Sequence, residues 1–308
     1  MSAIKTEDDF LRTIMAALGY APRSAEPNKF LRFGPRKSCW AKLFPDGLGG
    51  VFGCYKQNLS SHWSARANQT PAELAAMRRH VQQAAREREA VQRRQWAKNA
   101  VKNAALWAEV QPAGDAVRAY LAARGLADWR IPPCIRQHPG LVYWHTDEDG
   151  VLHNMGIFPA MLAPIVGSDG QLLAIHRTYL GNGCKADVPT PKKLTVSAGL
   201  LAGACIPLAR PRGGVIGIAE GIETAAAAAL GSGLPVVAAY CANALSSFHL
   251  PRGLERLVIF ADNDPVGQQA AAVLAQRADK TGISTKTLTP SKPGSDWADV
   301  YQEGKHHE

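Results

Sequence analysis

The chain has 308 residues, 46% hydrophobic and 20% charged, and Lys plus Arg outnumber Asp plus Glu by 35 to 26, a net charge of +9. That fits a soluble globular protein of about two domains with a sizeable core. The basic excess suits a polyanionic partner such as nucleic acid, and equally a merely basic surface. The N-terminus, MSAIKTEDDFLRTI, carries acids early and lacks a long apolar run, unlike a signal peptide. No apolar stretch reaches the roughly 18 residues of a membrane span. The six cysteines form no C-x-x-C pair, which argues against a zinc ribbon and against a secreted disulfide scaffold. Scattered thiols fit a reducing cytoplasm.

Residues 1–69 read as a small α+β unit. Phe10, Leu11, Ile14, Met15 and Leu18 recur at helical spacing, and β-prone runs follow around a PDGLGG turn. Basic and aromatic residues interleave there, among them Arg36, Lys37 and Trp40. Such a surface suits single-stranded nucleic acid. The same aromatics would equally serve as the core of a small domain. Residues 70–112 read as one long helix, opened by Thr70, Pro71 and Glu73 as cap, first-turn proline and capping-box acid. Its middle is rich in Arg and Lys, including Arg93 and Arg94. That run is either a connector along a nucleic-acid backbone or a solvated face.

Residues 113–212 begin with a helix, GDAVRAYLAARGL, closed by Gly125. The β-prone runs LVYWH, PAMLAPIVG and QLLAIHRTYL follow, with a GSDG hairpin turn before the last. This segment gathers His176, Arg177, Lys185, Lys192 and Lys193. From residue 213 the pattern alternates: strand VIGIA, helix GIETAAAAAL, strands PVVAAY and LVIFA, helix VGQQAAAVLAQRADKTG, strand STKTLT. Apolar strands alternating with helices predict a mostly parallel α/β sheet with right-handed crossovers. No G-x-x-x-x-G-K-[ST] sequence occurs, so there is no recognisable motor signature. Acyl-transfer motifs are absent too.

Ligands of open α/β sheets bind at the carboxyl ends of the strands. Glu220 follows VIGIA, Asp262 and Asp264 follow LVIFA, and Asp296 and Asp299 stand in GSDWADV after the last strand. Carboxylates this close repel unless a cation sits between them. Hard divalent cations take oxygen ligands, so Mg²⁺ or Mn²⁺ is the simplest partner. A lone D-x-D after a strand is weak evidence; the combination with strand–EG–helix and a third acidic motif is stronger.

IAEGIETA, FADNDPVGQQAA and GSDWADV together resemble a Toprim domain, over roughly Gly213 to Gly304. AYLAARGL, DGQLLAIHRTYL and PKKL upstream resemble the segment that precedes Toprim in DnaG-like primases of phage and plasmid type. The resemblance implies an enzyme that makes short RNA primers from NTPs on a single-stranded DNA template, by metal-dependent nucleotidyl transfer. It implies Glu220 as an acid/base or metal-linked carboxylate and Asp262 and Asp264 as metal ligands. Asp296 is then a further acid, with Asp299 the alternative, and Lys192 or Lys193 sits near the nucleotide phosphates. His176, Arg177 and Lys185 are candidates for nucleotide contact. Two departures stand out. The zinc ribbon that usually chooses the template has no counterpart here, and without a motor a separate replicative helicase is implied. Thr224 stands where some Toprim families place a second acid, and reads here as a helix residue bonded to its own backbone. His306 and His307 stand in the tail, outside this scheme. A Toprim nuclease that cuts DNA or RNA with the same acids, and a non-catalytic nucleic-acid-binding module, are the rival readings.

Overall fold

The computed structural model of the chain describes residues 7–65 and 71–305. The expected Thr70–Glu73 capping box, and His306 and His307, lie outside what is described. Contacts divide the chain into two compact units, Met1–Arg94 and Gln95–Glu308.

The first unit opens with α1 (Glu7–Leu18), whose buried stripe Phe10, Ile14 and Leu18 faces a four-stranded antiparallel sheet. The strands are β1 (Phe30–Phe33), β2 (Cys39–Leu43), β3 (Gly49–Cys54) and β4 (Leu59–Ser64), paired in chain order. A short 3-10 turn at Pro35–Lys37 joins β1 to β2. Phe52, Trp63 and Ala41 close the core under α1. The other face of the sheet packs Trp40, Phe44 and Val51 against Ala84 of the long helix α2 (Pro71–Glu109). Each large side chain buried in this way contributes about 1.5–3 kcal/mol.

In the second unit, α3 (Asp115–Ala123) follows the short strand β5 (Gln111–Pro112), and Gly125 leaves the helix at φ +74°. A five-stranded antiparallel sheet then runs in chain order through β6 (Arg136–Thr146), β7 (Leu152–Val166), β8 (Leu172–Tyr179) and β9 (Lys192–Leu194). The expected GSDG hairpin is present, with Gly170 N–H donating to the Gly167 carbonyl. The last part of α2 is pinned to this sheet side through Asn103, which donates to the carbonyls of Leu173 and Val196.

The C-terminal region is the expected parallel sheet, ordered β11-β10-β12-β13. Its strands are β10 (Val215–Ala219), β11 (Val236–Ala238), β12 (Arg256–Phe260) and β13 (Ser284–Leu288). Apart from exposed Arg256 at the start of β12, β10 and β12 are apolar and largely buried, as befits central parallel strands. The helices are α4 (Ile222–Ser232), α5 (Ala242–Ser247), α6 (Pro265–Asp279) and α7 (Trp297–Lys305). The reading of the sequence did not contain α5 or α7. α5 is only six residues long, too short for a periodic signal, and α7 is a nine-residue helix that starts inside the acidic GSDWADV motif. α6 begins as its sequence dictates: Asp264 caps it and Pro265 fills the first turn. One core spans the two sheets, joining Tyr120 and Leu121 of α3, Met161 and Ile165 of β7, and Ala225 and Phe260 of the parallel region.

Candidate active site at the strand ends

β10 and β12 are adjacent, with Ala219 paired to Phe260, so the residues just beyond them, Glu220 and Asp262, emerge side by side. A cavity of about 190 Å³ opens there. Glu220, Asp262 and Asp296 supply its acidic wall, Arg124, His176, Lys185 and Lys192 its basic one, and Glu223 lines it as well. The topology explains the meeting. β8 and β9 pair Thr178 with Lys192, so the antiparallel sheet carries His176 and Lys192 to the acidic rim of the parallel one.

The acidic wall is electrostatically unsatisfied. Asp262 Oδ1 is buried and has no hydrogen-bond partner among the described residues. Burial, then Glu220, Asp296 and Asp264, push its carboxyl up to about 7. Burial, then Asp264, raise Glu220 as well, against the pull of Lys192. Among the described residues, no three His, Cys, Asp or Glu side chains converge as a ready-made metal cage. The donor set still fits a hard cation of the Mg²⁺ kind, which one or two carboxylates hold while water and phosphate supply the rest.

The basic wall is organised by a residue the sequence reading passed over. Glu223, in the first turn of α4, is buried. Lys192 Nζ donates to Glu223 Oε2 at 2.9 Å, and the Tyr120 hydroxyl donates to Oε1 at 2.5 Å. Burial alone would raise the Glu223 carboxyl, but Lys192 and then the Tyr120 hydroxyl more than offset it and hold it at about 2. His176 is lowered to about 4 by burial and then by Lys192, so its ring is neutral at pH 7. Its Nδ1 is buried without a partner among the described residues. Arg124 was also unforeseen; it follows the last turn of α3 and reaches Asp299 at 3.9 Å.

Several candidates stand elsewhere or serve other ends. Lys193 Nζ donates to the Trp144 carbonyl and lies 3.9 Å from the Tyr143 ring centre, so of the two adjacent lysines only Lys192 lines the cavity. Arg177 donates to the Leu194 carbonyl at 2.9 Å and to the Tyr179 hydroxyl at 3.3 Å, and it too is outside the cavity lining. Asp264 Oδ1 accepts from Gly267 N–H at 2.7 Å as the cap of α6. Asp296 Oδ1 accepts from the N–H groups of Ala298 and Asp299, while Asp299 Oδ2 accepts from Asp296 N–H. This is a reciprocal capping arrangement in which Asp296 faces the cavity and Asp299 serves the helix. Thr224 is buried and lines the cavity.

In the first unit, Trp40 is buried, stacked on Phe30 with ring centres 6.0 Å apart and with the Arg88 guanidinium 4.1 Å from its ring centre. Of the two roles left open for it, nucleic-acid contact and core, the ring is spent in packing. Arg36 and Lys37 are exposed, as are Arg93 and Arg94 on α2, where Arg93 pairs with Glu89 at 2.8 Å.

Residues 215–306 match the family model described as the Toprim domain, and this region is a Toprim domain. Residues 97–206 match a domain of unknown function, DUF7146. No curated protein matches the chain. Similar solved structures include a DNA primase domain from Pseudomonas aeruginosa, at 16% identity and a TM-score of 0.35, covering 54% of this chain and 53% of that one. The chain thus spans about half the length of that domain. The DnaG primase catalytic domain bound to ssDNA is similar at 15% identity and a TM-score of 0.45, over 70% of this chain and 78% of that one. The zinc-binding and RNA polymerase domains of the Aquifex aeolicus primase are similar at 12% identity and a TM-score of 0.41, over 98% and 84%. Among the described residues, no helix is long and apolar enough to cross a membrane.

Proposed function

We propose that the chain is a primase of phage or plasmid type, which joins NTPs into short RNA primers on single-stranded DNA. One observation supports this reading: carboxylates Glu220, Asp262 and Asp296 and cations Arg124, Lys185 and Lys192 line one small cavity. A triphosphate needs both, fixed positive side chains for its oxygens and anionic ligands for the cation that travels with it.

Asp262 would hold a bound Mg²⁺ or Mn²⁺, with Glu220 or Asp264 beside it. When bound, the ion would offset the polyphosphate charge and act as a Lewis acid on phosphoryl oxygens. The rest falls to this chain's own groups. Lys192, steadied by Glu223, presents a fixed positive charge to phosphate oxygens. Arg124 adds a second, delocalised one. Neutral His176 offers a hydrogen bond from inside the cavity without adding charge. Glu220, its carboxyl raised by burial, stands beside Asp262 as the group to take a proton from an attacking 3′-hydroxyl. The enzyme would act in the cytoplasm, and a separate helicase would open the template.

The test is direct: purified protein, single-stranded DNA, labelled NTPs and Mg²⁺ or Mn²⁺. Primers that form, and vanish in Asp262→Ala, support the reading. Cleavage without synthesis replaces it with a nuclease. Binding without either reaction, unchanged in Asp262→Ala, leaves a non-catalytic module.

A further inference from the structure

Between residues 20 and 64 the chain carries seven basic residues, Arg23, Lys29, Arg32, Arg36, Lys37, Lys42 and Lys56, against two acids, Glu26 and Asp46. Glu26 pairs with Lys29, and Lys42 with Glu87, which removes two of the seven. Arg32, Arg36, Lys37 and Lys56 are exposed, and none of them has a carboxylate partner within ion-pair distance among the described residues.

Contacts bring together the β1–β2 and β3–β4 turns that carry Arg36, Lys37 and Lys56, with Arg32 between them. Arg32 Nε donates to the Lys37 carbonyl at 2.9 Å, and its guanidinium stands 4.7 Å from the ring centre of Tyr55. Tyr55 N–H donates to the Ser38 carbonyl, which ties the start of the β3–β4 turn to the end of the β1–β2 turn. Tyr55 is 49% exposed, unlike the buried Trp40 and Trp63 of the same unit. Arg36 and Lys37 both take left-handed backbone, φ 53° and 54°. Two successive non-glycine residues in that region cost energy, and such strain persists where the fold needs the side chains aimed.

We propose that this face of the first unit, built from Arg32, Arg36, Lys37, Tyr55 and Lys56, binds single-stranded nucleic acid. Tyr55, with one guanidinium already in contact with its ring, is the platform for a base. Arg36, Lys37 and Lys56 surround it as phosphate contacts. A duplex buries its bases and offers Tyr55 nothing to stack on, so a single strand is the better fit. This proposal is independent of the pocket chemistry and stands or falls by binding.

The experiment is fluorescence anisotropy on the full chain with a labelled 20-mer oligothymidine, at several salt concentrations. Tyr55→Ala is expected to weaken binding about tenfold, while Tyr55→Phe keeps it. Arg36→Gln with Lys37→Gln is expected to lower the salt slope by about one to one and a half. An oligonucleotide bearing 5-bromouracil should photo-crosslink at or beside Tyr55. Circular dichroism and thermal melting of each variant identify any that fails to fold, and for those the crosslink in the wild-type chain decides. Unchanged affinity in both variants, no crosslink on this face, or equal loss of duplex binding in Tyr55→Ala would each overturn the proposal. So would binding that appears only with anionic lipid vesicles. Binding is read here without NTPs or divalent cation, and synthesis in a separate assay, so loss of this surface and loss of the pocket chemistry are distinguished.

Discussion

Lys192 and Glu223 meet at 2.9 Å, one from the antiparallel sheet and one from the parallel region, and Glu223 also accepts from Tyr120. Lys192 is therefore fixed by an acid that lines the same cavity but is already satisfied, unlike Asp262.

The first prediction separates stability from function at this pair. Lys192→Ala leaves a buried carboxylate without its cation, which costs about 3–5 kcal/mol in a fully buried pair. Lys192 is itself 37% exposed, so a loss of about 2 kcal/mol is expected in urea unfolding. Adding Glu223→Gln should recover most of that stability while nucleotide binding stays weak. If the double variant regains full nucleotide affinity, Lys192 does not touch the phosphates.

The same pair sets an acid limit. Glu223 is held at about 2 in the folded protein, below the ordinary glutamate value. Its contribution is present above pH ~4 and is lost as the pH falls from there towards 2. Glu223→Gln should flatten the acid side of a stability-versus-pH curve, measured by thermal melting between pH 2 and 5.

Asp262 titrates in the opposite sense. Its carboxyl is raised to about 7, so the folded state holds a proton that the unfolded state releases near pH 4. Its contribution to metal-free stability falls as the pH rises from 4 to 7, and the full penalty applies above 7. Asp262→Asn should raise the metal-free Tm at pH 8 by a few degrees and abolish catalysis. Mg²⁺ should stabilise the wild type more at pH 8 than at pH 6, and the variant hardly at either. Equal Mg²⁺ effects on both proteins would remove Asp262 from the metal site.

A fourth prediction needs no change of charge. A Cβ on Gly267 would lie 3.0 Å from the Asp262 carbonyl oxygen and 3.3 Å from its Cβ. Gly267→Ala therefore presses on the end of β12 and displaces Asp262 by a few tenths of an ångström. Turnover should fall by about tenfold or more with little change in melting temperature, since misplacements of this kind are costly to catalysis.

Much of this architecture is written locally. VIGIA followed by EG, and LVIFA followed by D-x-D, declare a buried strand and then a turn, and both fold as read. The cap at Asp264 and the proline after it are equally legible. Glu223 is not, because its meaning depends on Lys192, 31 residues away, and Tyr120, 103 residues away. Composition gave no way to choose between Lys192 and Lys193; strand alternation across the β8–β9 register does. Trp40 shows the limit from the other side. Basic–aromatic interleaving fits a binding surface and a core equally well, and only packing against Phe30 and Ala84 distinguishes them.

Asp296 belongs to the cavity and, through its bonds to Ala298 and Asp299, to the start of α7. Protein engineering at this end of the molecule therefore reaches further than it looks. A fusion partner or purification tag that frays α7 would retract an acid from the cavity while leaving the sheet intact. Preparations differing only in their C-terminal appendages should thus be compared for turnover before any difference is assigned to the chemistry itself.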